Sequence, residues 1–318
     1  MTRKITLLSL VATLVAGMML FSCTKEDEKT NDNGNSQENP DDNPSNDTIV
    51  SYMKGVFSVS DTSQVYFSPG NLQWSASGTH AVAEGGTAAG TWRFAPSQYD
   101  TIGCTNTQIS SAYTGWIDLF GWGTSGYNNN YPYMVSETGS DYGDGTSDIS
   151  GTNYDWGVYN AIQNPKKNTT DAPGTWRTLT NKEWIYVLNT RTTASGMRYA
   201  KAIVDGVRGL ILIPDNWNTS TYTLNSTNAI AAFYSSNDIS SSDWTTLENA
   251  GCAFLPACGE RLGVIPNYTG NKGDYWSSTS GFDHTLAYNM NFEDGNITTE
   301  HAYRRQYGYS VRLVMDKK

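Results

Sequence analysis

Apolar residues fall into three kinds of run along the chain. The first is a long uncharged stretch, Ile5 to Leu20, interrupted only by Thr, Ser and Gly and preceded by Arg3 and Lys4. The second is a set of short runs with β character. Val56-Phe57-Ser58-Val59 and Val65-Tyr66-Phe67-Ser68 flank Asp61-Thr62-Ser63 and predict a hairpin. Trp92-Arg93-Phe94 reads as another strand, Gly209 to Pro214 as a buried one, and Val311-Arg312-Leu313-Val314 as the terminal one. The third kind repeats at helical spacing. Trp184, Val187 and Leu188 lie at i, i+3 and i+4 of a helix predicted from Thr180 to Arg191. Thr180-Asn181-Lys182-Glu183 opens it as a capping box, the Thr hydroxyl taking the N3 amide and Glu183 reaching back to the cap amide. A second helix is predicted from Asp243 to Ala250, with Trp244 and Leu247 inward and Gly251 as its stop. Few helices, short strands and long Gly/Asn/Tyr loops predict an α+β fold.

The N-terminal run is near the ~20 residues that cross a bilayer, but its ending, Leu20-Phe21-Ser22-Cys23, places a small residue before a cysteine. That ending resembles the lipobox of bacterial lipoproteins, which implies cleavage before Cys23 and lipid attachment to its thiol. Acyl chains partition at about 0.8 kcal/mol per buried CH₂, so several of them hold a chain to a membrane without a spanning helix. Residues 24–48 contain eight acids, two lysines and no large apolar residue, a composition that predicts a disordered spacer. Lys25-Glu26-Asp27-Glu28 resembles the lipoprotein surface-export signal of Bacteroidetes, and Asp47-Thr48-Ile49 the short O-glycosylation site of that phylum. The expected organisation is a signal peptide over 1–22, a lipidated acidic spacer over 23–50 and one domain over 51–318. The expected location is the outer membrane, facing the exterior.

Composition narrows the function classes. Charged residues are 16% of the chain, which has 20 Tyr, 10 Trp and 30 Gly, against a usual charged fraction of about 25%. This suits a loop-rich extracellular fold. A formal charge of −10, with no basic cluster beyond Arg304-Arg305, argues against nucleic-acid partners. Cys252 and Cys258 lie in a strand-like stretch, and six extended residues span about 20 Å, beyond the ~7 Å Cα limit for a disulfide. Unless Pro256 turns the chain back, they are expected to be buried free thiols. No Cys-x-x-Cys or His pair suggests zinc. Three histidines, His80, His284 and His301, give little material for acid–base chemistry, and Gly121-Trp122-Gly123 reads as a packing turn.

Two stretches carry candidate sites. Residues 141–148 crowd oxygens around glycines without EF-hand spacing; a polar loop is the first expectation and calcium, through Asp141, Asp144 and Asp148, the second. From Asp283 to Tyr309, Tyr288, Met290 and Phe292 alternate with Asn289 and Asn291, so one face is core and the other polar. Asp283, His284, Asn289, Asn291, Tyr303, Arg305 and Tyr307 are the residue types of recognition surfaces and form the candidate ligand-binding set. The competing expectation is a loop whose tyrosines pack on their own domain.

Trp176-Arg177-Thr178-Leu179-Thr180-Asn181-Lys182-Glu183-Trp184 resembles the Arg-Leu-Pro-Thr-x-x-Glu-Trp signature of C-type-lectin-like domains of the formylglycine-generating, or sulfatase-modifying, type. Tyr275-Trp276-Ser277-Ser278-Thr279, Ala287 and Gly308 to Val314 look like the end of the Fibrobacter succinogenes major paralogous domain and its Bacteroidetes relatives. Ile213-Pro214-Asp215-Asn216-Trp217 and Leu255-Pro256-Ala257 resemble its middle. The resemblance covers roughly 55–315. It implies a C-type-lectin-like domain whose first and last strands pair. It does not carry over the formylglycine-generating activity, which needs a late cysteine pair, because no cysteine follows Cys258. Nor are the calcium loops of sugar-binding lectins present. The expected protein is a surface lipoprotein that is not an enzyme and binds a protein or glycan, as in adhesion. The alternative is a structural or accessory subunit of a fimbrial or envelope assembly. A formylglycine-generating-like enzyme is third.

Overall fold

The computed structural model describes residues 55–318; Cys23, the predicted signal peptide and the acidic spacer lie outside them. The predicted hairpin forms, with Phe57–Ser58 antiparallel to Gln64–Phe67 and Phe57 opposite Val65. The last strand, Leu313–Asp316, pairs antiparallel with Gln64–Phe67 on one side and with Arg177–Thr178 on the other. First and last strands therefore share a sheet, as expected. The terminal strand starts two residues later than predicted because the Val311 carbonyl accepts from the Leu72 amide instead of joining this ladder. Phe57, Val65, Phe67 and Val314 enter one core cluster with Trp184, which is fully buried.

Strands dominate the described residues, and helices are few and short. Leu72–Ala81, Thr87–Phe94, Ile162–Asn164 and Thr169–Asp171 make one sheet. Asp238–Ile239, Tyr199–Val204, Val207–Leu212 and Ala253–Pro256 make another. Lys272–Ser280, Leu286–Glu293 and Asn296–Arg304 make the third, and Glu260–Leu262 with Ile265–Asn267 form a separate hairpin. Most pairings are antiparallel; the exceptions join Thr87–Phe94 to Ile162–Asn164 and Asp238–Ile239 to Tyr199–Val204.

Both arms of the Thr180–Glu183 capping box are made. The helix is regular only over Asn181–Ile185 and widens over Tyr186–Thr190, where the Arg191 amide reaches the Tyr186 carbonyl. The cause is Arg191 itself. Its buried guanidinium takes the Val187 carbonyl, pairs with Asp215, and donates to the carbonyls of Arg198 and Ile213. The second helix spans Ser241–Asn249, beginning before the predicted Asp243 because Ser240 is the cap and Asp243 donates its amide to that hydroxyl. Trp244 and Leu247 face inward, and Gly251 ends the helix at φ +97°. Cys252 and Cys258 are buried thiols with no disulfide between them. Gly121 is a packing turn as expected, since a Cβ there would lie 2.2 Å from the Tyr142 ring.

Candidate functional site

The third sheet divides its side chains by period-two alternation. Tyr275, Met290, Phe292 and Ile297 enter the core that holds Trp184. Gly273 is small because a Cβ would sit 2.1 Å from Phe292. The opposite face is set by register: Asp274 faces Asn291, Trp276 faces Asn289, Asn289 faces His301 and Ala287 faces Tyr303. Met290 and Phe292 are core as the sequence predicts, Tyr288 is only half-buried and outside the core, and the opposite side is covered as well, with Trp276 and Ala287 in a second core cluster. Asn289 and Asn291 are buried, and their amides donate to Asp274 Oδ1 at 3.1 and 2.7 Å. Asp274 Oδ2 is ion-paired with Lys272 Nζ at 3.2 Å, and that ammonium lies 3.7 Å from Glu260. Burial pushes the Asp274 carboxyl up to about 6 despite the opposing pull of Lys272 and Asn291. Burial works to lower Lys272, but the two carboxylates outweigh it and raise the ammonium above its ordinary value.

Aromatic rings stand around this charged layer. Tyr303 lies 5.7 Å from Tyr307 and 6.2 Å from Tyr309, with His301 6.1 Å from Tyr303. Lys272 sits 5.6 Å from the Tyr303 ring and 6.0 Å from that of Tyr268. Tyr309 is buried, and its hydroxyl has no hydrogen-bond partner among the described residues. Tyr268 is the opposite case, 61% exposed with φ +56°. A bulky side chain rarely adopts that backbone region, which costs on the order of 1–3 kcal/mol. Two backbone bonds fix it, from the amides of Asn271 and Lys272 to the Tyr268 carbonyl. The preceding hairpin exposes Val264 and Ile265 and is anchored from below by Arg261, whose guanidinium donates to the carbonyls of Leu119 and Gly263. Gly308 admits that arginine, since a Cβ would come 2.9 Å from Arg261 Cβ.

The predicted ligand set is therefore split. Tyr303 belongs to the exposed aromatic rim and Tyr307, half-buried, packs on the core cluster of Trp122 and Trp276, whereas Asn289 and Asn291 lie in the network beneath. Arg305 is a correction: it is fully buried, over the Trp122 ring at 4.2 Å, and donates to the carbonyls of Leu286, Tyr142 and Gly145 and to Ser280 Oγ. It holds the 142–145 loop and offers nothing to a ligand. His284 is exposed on the turn after Lys272–Ser280, next to Asp283, which accepts from the amide and hydroxyl of Thr285. The calcium candidates have separate engagements. Asp141 accepts from Ser136, Asp148 from the Ser280 amide at 2.7 Å, and Asp144 is exposed. Among the described residues no group of three or more His, Cys, Asp or Glu side chains is placed to hold a metal ion. The loop's carbonyls already face a cation, the Arg305 guanidinium. Sequence reasoning missed Glu260, Tyr268, Lys272, Asp274 and Tyr309. The available signal was the alternation Lys272-Gly273-Asp274-Tyr275-Trp276, which places two opposite charges on one face of an aromatic strand.

Residues 218–314 match a family described as a domain of unknown function (DUF8237). The match takes in the Ser241–Asn249 helix, the exposed hairpin and all three strands beneath the tyrosines. No curated protein and no solved structure matches the chain.

Proposed function

We propose that this protein is a non-catalytic recognition protein, lipid-anchored through Cys23 to the outer membrane, and that it binds a protein or glycan outside the cell through Tyr268, Tyr303 and Tyr307. The observation that carries this reading is Tyr268, held largely exposed in a strained backbone conformation, its ring 6.0 Å and that of Tyr303 5.6 Å from the ion-paired Lys272. A rigid support lowers the entropy lost on association, and exposed Tyr with neighbouring Val and Ile offers contact area at small rotamer cost. The titratable groups below, Asp274, Lys272 and Glu260, are engaged with one another, which favours holding a surface over proton transfer. A C-type-lectin-like fold is part of the proposal, supported by the pairing of first and last strands and by the capped helix after Arg177–Thr178. The formal charge of −10 supports partners other than nucleic acid.

The test is attachment. Beads carrying the chain through its N-terminal region are scored for adhesion to neighbouring bacteria and to host epithelial surfaces. Tyr303→Ala and Tyr268→Ala should each lower apparent affinity at least tenfold, about 1.4 kcal/mol, with an unchanged melting temperature. Phe282→Ala, at an exposed residue outside the cluster, should bind normally. Normal attachment by both tyrosine variants would overturn the assignment.

A further inference from the structure

Asn296–Arg304 ends its sheet: it is bonded to Leu286–Glu293 on one side, and among the described residues no strand covers the other. The register shows which backbone groups that edge presents. Leu286, opposite Arg304, turns its carbonyl away from this strand to accept from the Gly281 amide. Thr285, one position earlier, accepts from the Arg305 amide. Backbone groups alternate in direction along an antiparallel ladder. Arg304 and Ala302 therefore point their amides away from the sheet, while Tyr303 and His301 point theirs into it. The side chains along this edge are open: Glu300, His301, Tyr303 and Arg304 are exposed and Ala302 is half-buried. The first half of the strand differs, since Ile297 and Thr299 are buried. A register shift divides the halves, with Asn291 opposite Thr298 and Asn289 opposite His301.

An uncovered edge is a template for another strand, and the side chains specify which strand fits. Alternation puts Glu300, Ala302 and Arg304 on one face and His301 and Tyr303 on the other. Glu300 and Arg304 are about 13 Å apart along extended chain, too far to reach each other, and neither is ion-paired among the described residues. An antiparallel copy of the same strand, centred on Ala302, pairs both. Each Glu300 then lies opposite the other copy's Arg304, each His301 opposite a Tyr303, and Ala302 opposite itself, its outward amide and carbonyl bonded reciprocally. Opposite charges across a ladder attract and like charges repel, so the register is selected. Moving the centre two residues either way sets Glu300 against Glu300 or Arg304 against Arg304, and moving it by one pairs neither with an opposite charge. We propose that this edge is an interface between two copies of the chain, which pair antiparallel over 300–304 about Ala302. The two sheets then continue into each other with the same face forward, so the tyrosine surfaces lie side by side. The pairing does not depend on any ligand of those surfaces.

The test is sedimentation of the full chain over a range of micromolar concentrations, in a detergent matched to the density of the buffer. Wild type should pass from monomer to dimer as concentration rises. Glu300→Arg and Arg304→Glu each set like charges across the seam and should weaken the dimer at least tenfold, with an unchanged melting temperature. An equimolar mixture of the two variants should dimerise as wild type does, because each charge again meets its opposite. Neither a damaged fold nor two chains sharing a micelle gives that recovery. Ala302→Pro removes the outward amide and leaves the ladder to Leu286–Glu293 in place, so it should abolish the dimer. A wild-type chain that stays monomeric, whether or not an unrelated extended peptide adds to this edge, overturns the proposal. So does a dimer that survives either charge reversal, or one that the mixture fails to restore.

Discussion

The tyrosine surface and the Trp74–Tyr133 cluster on the Leu72–Ala81 and Thr87–Phe94 ladder are both aromatic, yet one stands over a polar layer and the other packs ring against ring over small residues. The difference comes from what the neighbouring strand positions carry. Beneath Tyr303 the same-face positions are Lys272, Asp274, Asn289 and Asn291, large polar groups that occupy the space and converge on the Asp274 carboxylate, with Asn289 Oδ1 left unpaired among the described residues. Beside Trp74 they are Ala88 and Gly90, so small that the indole seats directly on Gly90, where a Cβ would lie 2.5 Å from its nitrogen. Aromatic content alone thus does not define a surface. The residues facing the rings decide whether the rings are held out over a polar layer or pack on one another.

The comparison breaks most severely at Arg305, which ties the tyrosine sheet to the 142–145 loop. Arg305→Ala strips several buried acceptors of their donor and should cost about 3–5 kcal/mol, since each buried acceptor left unpaired costs about 1–3 kcal/mol. Denaturant unfolding measures it, and a loss below 1 kcal/mol would show that the loop is held by other contacts. An intermediate effect comes from pH and spans both regions, since Asp118 follows Ile117, whose backbone pairs with Trp74. Burial pushes the carboxyls of Asp118, Asp155 and Asp274 up to about 6 from an ordinary 3.8. Between those values the folded state holds more protons than the unfolded one. The stability they confer is full below the unfolded value and is lost as pH rises through about 6. Each contributes at most about 3 kcal/mol. The melting temperature should therefore climb between about pH 7.5 and pH 5. Asp274→Asn should reduce the slope by its own share and leave that of Asp118 and Asp155. Equal slopes in wild type and Asp274→Asn would remove the sheet from this account. The smallest effect is expected at Tyr268. Tyr268→Gly relieves a left-handed backbone and should change stability by no more than about 1 kcal/mol, in the stabilising direction, while abolishing the rim's exposed ring. Calorimetry distinguishes this from a loss, which would mean the ring packs more than its exposure implies.

These regions were unequally legible in the sequence. The capping box at Thr180, the stripe through Trp184, the first hairpin and the Gly251 stop rest on neighbours within a few residues, and each is found where local chemistry predicts. The site was less accessible. Alternation identified Asn289 and Asn291 as polar-facing but could not show that Asp274 lies opposite them. Arg305 reads as a surface cation because its partners include carbonyls of residues 142 and 145, some 160 positions earlier. The long ladder around Trp74 was missed for another reason. Leu72–Ala81 and Thr87–Phe94 are rich in Ser, Ala and Gly, with little strand propensity. Only Trp92–Phe94 stood out, while the longer ladder is fixed by cross-strand pairing such as Trp74 with Trp92.

The position of Leu313–Asp316 has a consequence for how the chain becomes a domain. It is an inner strand of its sheet, bonded on both edges, and Lys317 reaches Gln64 across 253 residues of sequence. Such closure forfeits much chain entropy before any contact rewards it. While a ribosome is still producing this polypeptide, Gln64–Phe67 and Arg177–Thr178 have no strand between them. The nascent chain must wait, with an unpaired edge exposed, until residues 313–316 have emerged. A proline at Val314, whose backbone pairs with Phe67 and Arg177, should therefore act as a global lesion.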